Sequence, residues 1–141
     1  MCSSDLHALT DVTGFGLLGH LRNLAAASEV AAVVWNDRVP MLAPARDYVA
    51  QGIAPGGTHA NRRFLSKWVS YDEDITEFEQ LLLCDAQTSG GLLAALSGDQ
   101  AEKAIAELRS LGAASAAVIG TVVAGEPGRI EVRRATGRAP S

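Results

Sequence analysis

The chain has 141 residues, 48% of them hydrophobic, which is enough apolar material for one substantial core, so a single domain is expected. Its net charge of -4, from 12 basic and 16 acidic residues, gives no broad pull toward nucleic acid or an anionic membrane surface, and any anion must be held by a local site. Cys2 and Cys84 lie far apart, which argues against a disulfide framework or a Cys-rich zinc site and fits a reducing cytoplasm. The most apolar stretch, Leu111 to Gly125, is interrupted by glycines, Ser115 and Thr121 and falls short of the roughly 20 residues of a membrane span.

In chain order, His7 to Val12 reads as a short strand. From Phe15 the apolar residues Leu18, Leu21 and Ala25, with Leu17 and Leu24 beside them, have the three-and-four spacing of an amphipathic helix ending near Ser28. Val30 to Trp35 is a continuous β-branched and apolar run, hence a buried strand. Met41 to Ala50 has helical spacing, with Gly52 placed to stop it. Ala54 to Asn61 contains Pro55-Gly56-Gly57-Thr58 and reads as a loop, after which Trp68 to Tyr71 reads as a short strand. Ile75 to Leu83 reads as helix and Leu92 to Leu96 as strand. Asp99 is expected to cap a helix that runs to Leu111 and ends at Gly112. Val118 to Val123 and Arg129 to Val132, separated by Gly125-Glu126-Pro127-Gly128, suggest a final hairpin, and residues 134–141 a disordered tail. The fold class expected is α/β (or α+β), a mixed sheet covered by helices.

Two glycine-punctuated, oxygen-rich segments carry the chemistry. The first, Thr10-Asp11-Val12-Thr13-Gly14-Phe15-Gly16-Leu17-Leu18-Gly19, contains the G-x-G-x-x-G pattern between a strand and a helix, with Asp37 beyond a second strand. That arrangement resembles a dinucleotide-binding turn. Against it, Asp11 would set a bare carboxylate beside a pyrophosphate unless a cation stood between them. The same carboxylate suits a metal–phosphate complex, since Mg2+ commonly takes one or two carboxylates plus substrate phosphates. Asp11 is also readable as a turn residue, and Gly14 and Gly16 as tight-turn glycines.

The second segment, Asp85-Ala86-Gln87-Thr88-Ser89-Gly90-Gly91, packs an amide, two hydroxyls and two glycines just before an apolar strand, either to present donors to an anion or as an ordinary connection. Asp85 reads as a metal ligand or a turn cap. Arg62 and Arg63, next to the Gly56-Gly57 loop, read as phosphate-binding guanidiniums or as a solvated basic loop. His20, inside the first helix, reads as a packed or partly exposed helix histidine rather than a base, His7 and His59 have no carboxylate or cysteine at metal-ligand spacing, and Cys84 after Leu81-Leu82-Leu83 reads as a small core residue.

Three stretches, Ala8 to Leu17, Pro55 to Thr58 with Asn61, and Gln87 to Leu93, occur in the order and spacing of selenophosphate synthetase (selenide, water dikinase), which the chain resembles from about His7 to Val132. The resemblance implies that residues 7–133 form the C-terminal domain of a two-domain enzyme of the aminoimidazole ribonucleotide synthetase-like superfamily. Such an enzyme makes selenophosphate, AMP and phosphate from selenide, ATP and water, with Mg2+ bridging the nucleotide phosphates to aspartates. Asp11 inherits one metal-ligand role, and Thr10, Thr13, Gly14, Gly16, Asn61, Gln87, Thr88, Ser89 and Gly90 fall in the phosphate-facing loops. The family's reactive Cys or selenocysteine, its Lys, the glycine-rich nucleotide loop and the other aspartates belong to an N-terminal domain, so no catalytic residue is assigned here and that domain is the implied partner. A homodimer is implied for the full-length enzyme, with no nucleic acid or membrane partner, and the isolated chain is expected to be inactive. Ala86 departs from the family's usual proline. Residues 1–6, Met1 to Leu6, are expected to be a non-native leader that resembles translated sequencing-adapter sequence. The competing readings are a free-standing partner-binding domain and another ATP-dependent enzyme of the superfamily.

Overall fold

The computed structural model describes residues 6–88 and 90–135. The elements run β1 (Leu6–Asp11), α1 (Gly16–Ala27), β2 (Ala31–Trp35), a 3-10 turn (Asn36–Arg38), α2 (Ala43–Ala50), α3 (Gly56–Leu65), β3 (Val69–Tyr71), α4 (Glu77–Leu83), β4 (Leu92–Leu96), α5 (Gly98–Ser110), β5 (Gly120–Val123) and β6 (Ile130–Arg133). They form a mixed α/β fold with two sheets, a β1–β4 antiparallel ribbon and a four-stranded sheet of order β3-β6-β2-β5. In the larger sheet β6 runs parallel to both β2 and β3, while β5 runs antiparallel to β2.

Ala31 to Val34 are buried without alternation, as expected for a strand that has neighbours on both edges and cover on both faces. The core joins Val34, Val69, Ile130 and Val132 of that sheet to Leu18 of α1, Leu65 of α3, and Ile75, Leu83 and Cys84 around α4. Helix α4 begins with a reciprocal capping box, in which the Thr76 hydroxyl accepts from the Glu79 N–H and the Glu79 carboxylate accepts from the Thr76 N–H.

Three expectations are corrected. The segment read as a loop from Ala54 to Asn61 enters α3 at Gly56: Pro55 stands at the cap with extended backbone, and the helix buries Thr58 and Leu65. That burial against neighbouring helices outweighs the helix cost of Gly56 and Gly57. The final two strands do not form a hairpin, because β5 and β6 each pair with β2, one on each side. The connection straddles the start of β2, where the Gly128 N–H donates to the Val30 carbonyl and the Ala32 N–H donates to the Arg129 carbonyl. At the start of α5 the cap position belongs to Ser97, and Asp99 instead lies in the first turn, where its charge complements the helix dipole.

The ordered chain extends past Arg133. Arg134 pairs with Asp74 at 3.0 Å and with Glu79 at 2.9 Å, and the Ala135 N–H donates to Asp37 Oδ1 at 2.7 Å. Burial opposes ionisation of Glu79, but hydrogen bonds from the Thr76 backbone and the Arg134 guanidinium overcome it and hold the carboxyl below its ordinary value. The rest of the expected tail, and residues 1–5 of the expected leader, lie outside the described residues.

Candidate functional site

The first motif leaves the end of β1 and the second enters β4, so pairing of these two strands brings the motifs together. Asp11 is registered opposite Leu92, and the Val12 N–H donates to the Gly91 carbonyl at 2.9 Å. The Thr13 carbonyl then accepts from Gly16 at 3.0 Å and from Gln87 at 3.2 Å, so one oxygen holds a turn of each motif.

Helix α3 locks this junction. Thr58 and Asn61 are three residues apart and therefore share a helix face. Thr58, fully buried, donates from Oγ1 to Asp85 Oδ1 at 2.7 Å and accepts from the Ala86 N–H at 3.3 Å. The Asn61 amide donates to the Gly14 carbonyl at 2.8 Å and to the Cys84 carbonyl at 3.1 Å, bridging the first motif to the residue that leads into the second. Thr58 was not among the sequence candidates. Its i, i+3 relation to Asn61 would have flagged it had the segment been read as a helix.

The glycines act inside the protein. Gly16 has a φ of +72°, and a Cβ there would lie 2.7 Å from the carbonyl carbon and oxygen of Cys84. The close approach it permits is to the protein's own backbone. A Cβ at Gly90 would collide with the Val12 carbonyl and Gln87 Oε1, whereas one at Gly14 meets nothing within 4 Å. The dinucleotide reading of Gly14-Phe15-Gly16-Leu17-Leu18-Gly19 fails on topology, since β1 pairs antiparallel with β4 and lies in a different sheet from β2.

Thr13, Gly14, Gly16, Asn61, Gln87 and Gly90 thus meet at one junction. Two of the hydroxyls already have partners: Thr13 Oγ1 lies 3.0 Å from His20 Nε2, and Thr10 Oγ1 donates to the Asp11 carbonyl. Thr88 is exposed, and Ser89 lies outside the described residues. Asp85 serves the loop as the Thr58 acceptor. Arg62 is on α3, not in a loop, and its guanidinium pairs with Glu77 and Gln80. Cys84 is fully buried in the core, within 3.8 Å of the Tyr71 hydroxyl. Burial raises both its thiol and the Tyr71 phenol, which keeps the sulfur protonated and unreactive near neutrality.

Asp11 differs from these groups. It is exposed at the end of β1, and its carboxylate has no hydrogen-bond or ion-pair partner among the described residues. Nor do the described residues gather three or more His, Cys, Asp or Glu side chains able to hold a metal ion. Among the described residues, Asp11 could therefore serve a divalent cation only as one carboxylate of a site completed by other groups.

The chain that carries this junction belongs to the AIR synthase related protein, C-terminal domain family, matched over residues 1–133. Selenide, water dikinases are among its relatives. That of Myxococcus xanthus (strain DK1622) is 44% identical over 123 residues, covering 87% of this chain and 35% of the relative. That of Shewanella baltica (strain OS185) is 45% identical over 108 residues, covering 74% of this chain and 29% of the relative. That of Clostridioides difficile (strain 630) is 40% identical over 119 residues, covering 84% and 34% respectively. The chain spans about a third of the length of these relatives. Among solved structures, a crystal structure of hydrogenase maturation protein HypE superposes with a TM-score of 0.64 at 26% identity, covering 94% of this chain and 35% of that one. No helix among the described residues is long and apolar enough to cross a membrane.

Proposed function

We propose that this chain is the C-terminal part of a cytoplasmic selenide, water dikinase that makes selenophosphate from selenide, ATP and water. In this reading the chain supplies Asp11 and the Thr13–Gly16 and Gln87–Gly90 loops to a phosphate-facing cleft. An N-terminal domain supplies the nucleotide loop, the reactive Cys or selenocysteine and the remaining carboxylates, and the complete enzyme is a homodimer. The observation that carries the proposal is the junction itself, where the three stretches that carry the resemblance are joined by the Asn61 amide and by the Thr13–Gln87 and Val12–Gly91 backbone bonds, with Asp11 beside them unpaired among the described residues. The identity to selenide, water dikinases, 40% to 45% against 26% to HypE, favours this enzyme over other members of the superfamily.

Asp11 would hold Mg2+, which when bound neutralises phosphate charge. In-line phosphoryl transfer depends on positioning and charge neutralisation. The role of this chain is to fix the Asp11 carboxylate at the end of a paired strand and to keep two glycine loops rigid beside it. One carboxylate without a nucleotide loop leaves the isolated chain inactive.

The test is a fusion in which the N-terminal two-thirds of the Myxococcus xanthus relative precedes residue 7 of this chain. Selenide-dependent ATP consumption with release of AMP and phosphate is expected. Asp11→Asn should lower turnover by about two orders of magnitude, the scale of removing one preorganised electrostatic contact. Near-normal turnover in that variant would refute the metal role, and ATP consumption that ignores selenide would point to another enzyme of the superfamily.

A further inference from the structure

The β1–β4 ribbon is apolar on both faces, the exposed one included. Cross-strand partners share a face, so Leu9 with Ala94 and Asp11 with Leu92 form one surface, while Ala8 with Ala95 and Thr10 with Leu93 form the other. The second surface is half-buried. The first is exposed at all four positions, with Leu9 54% and Leu92 75% accessible. An antiparallel sheet with one solvated face normally places polar residues there, and here three of the four are apolar. A two-stranded ribbon is also marginal without further cover.

We infer that this outer face, Leu9, Ala94 and Leu92 around Asp11, is the docking surface for the part of the enzyme that the longer relatives carry outside the matched region, an inference that rests on the function proposed above. The matched region is only 29% to 35% of those relatives, so they hold ample chain to cover it. Charge selects this occupant over a second copy of the chain. A two-fold contact with its axis along the strands would bring two Asp11 carboxylates toward each other, and β1 and β4 contain no Lys or Arg to offset them. The occupant is therefore an apolar surface that also brings a cation, a bound metal or a basic side chain, to Asp11. Docking would remove the exposed leucines from water and close the cleft over the carboxylate in one step.

The experiment places single cysteines at Leu9→Cys, Leu92→Cys and, as a control just past the end of α5, the 79% exposed Leu111→Cys, all in a Cys2→Ser background with Cys84 left buried. Alkylation by iodoacetamide is timed on the peptide that carries each introduced cysteine, by mass spectrometry, in the 141-residue chain and in the fusion described above, which begins at residue 7 and so lacks Cys2. In the chain alone all three thiols react at similar rates. In the fusion, Leu9→Cys and Leu92→Cys slow at least tenfold while Leu111→Cys does not change. Equal rates in both proteins overturn the docking surface. So does protection already present in the lone chain that grows with concentration alongside a dimer in sedimentation. As an independent measure, Leu92→Glu should leave the melting temperature of the lone chain in place and lower that of the fusion; equal shifts in the two would count against the proposal. Turnover separates the two ideas: protected cysteines in a fusion that does not use selenide refute the function and support the surface, whereas unprotected cysteines in an active fusion refute the surface alone.

Discussion

Replacing Thr58 by valine keeps the volume of a fully buried side chain and removes the hydroxyl that joins α3 to the second motif. Two hydrogen bonds are lost. The bond to the Asp85 carboxylate is of the charge-assisted kind, about 1.5–3 kcal/mol, and the Ala86 N–H is left without its partner in a half-buried position. Allowing for water reaching the exposed side of the loop, the loss is about 2–4 kcal/mol. For a chain of this length that corresponds to a fall of about 6–12 °C in melting temperature, at ~3 °C per kcal/mol. Thr58→Ser is the control. It keeps both hydrogen bonds and deletes one buried methyl, costing about 1 kcal/mol. Thermal and urea unfolding followed by circular dichroism would measure both variants. If the valine variant is as stable as the serine variant, the hydroxyl does not hold the loop and the clamp described here is wrong.

Gly16→Ala should destabilise by about 2–5 kcal/mol, from a left-handed backbone combined with a Cβ driven against the Cys84 carbonyl, while Gly14→Ala should stay within about 0.5 kcal/mol because its Cβ has open space. Denaturant midpoints for the pair check this, and similar losses at both positions would refute the assigned roles. Asp11→Asn should leave the stability of the lone chain unchanged within about 0.5 kcal/mol, since its carboxylate is exposed and unpaired among the described residues. Because Glu79 is held below 4.5 in the folded chain, its contribution is complete above that pH and is lost as pH falls through the depressed value. Arg134→Ala should therefore lower the melting temperature at pH 7 and make the fall below pH 4.5 shallower than in the parent; parallel melting-temperature curves would contradict the Arg134 contribution.

The period of the apolar residues makes α1 and β2 legible, because Leu18, Leu21 and Ala25 repeat on one helical face and Ala31 to Val34 form an unbroken run. The α3 segment is hidden, since Pro55-Gly56-Gly57 punctuates like a loop and only the burial of Thr58 and Leu65 against other helices reverses that preference. The turn at Gly125 to Gly128 has hairpin chemistry, but local chemistry does not reveal that β2 offers both of its edges to the strands on either side. At the site, the three shared stretches and the exposed Asp11 are readable in the chain. The clamp is not, because Thr58 and Asn61 become neighbours only once a helix places them on one face.

The Asn61 amide bonds one carbonyl 47 residues away and another 23 residues away. The shape of the glycine turns is thus written far from the turns themselves. A peptide copying residues 10–19, or the same ten residues grafted onto a foreign strand and helix, would keep the glycines and lose the carbonyl anchor that orients them. During folding, neither loop should acquire its final form until α3 has docked, because contacts between distant parts of the chain must first meet the entropy of closing long loops. The junction should therefore assemble late and open as one cooperative unit, with the amide protons of Gly16 and Gln87, both bonded to the Thr13 carbonyl, exchanging with solvent together.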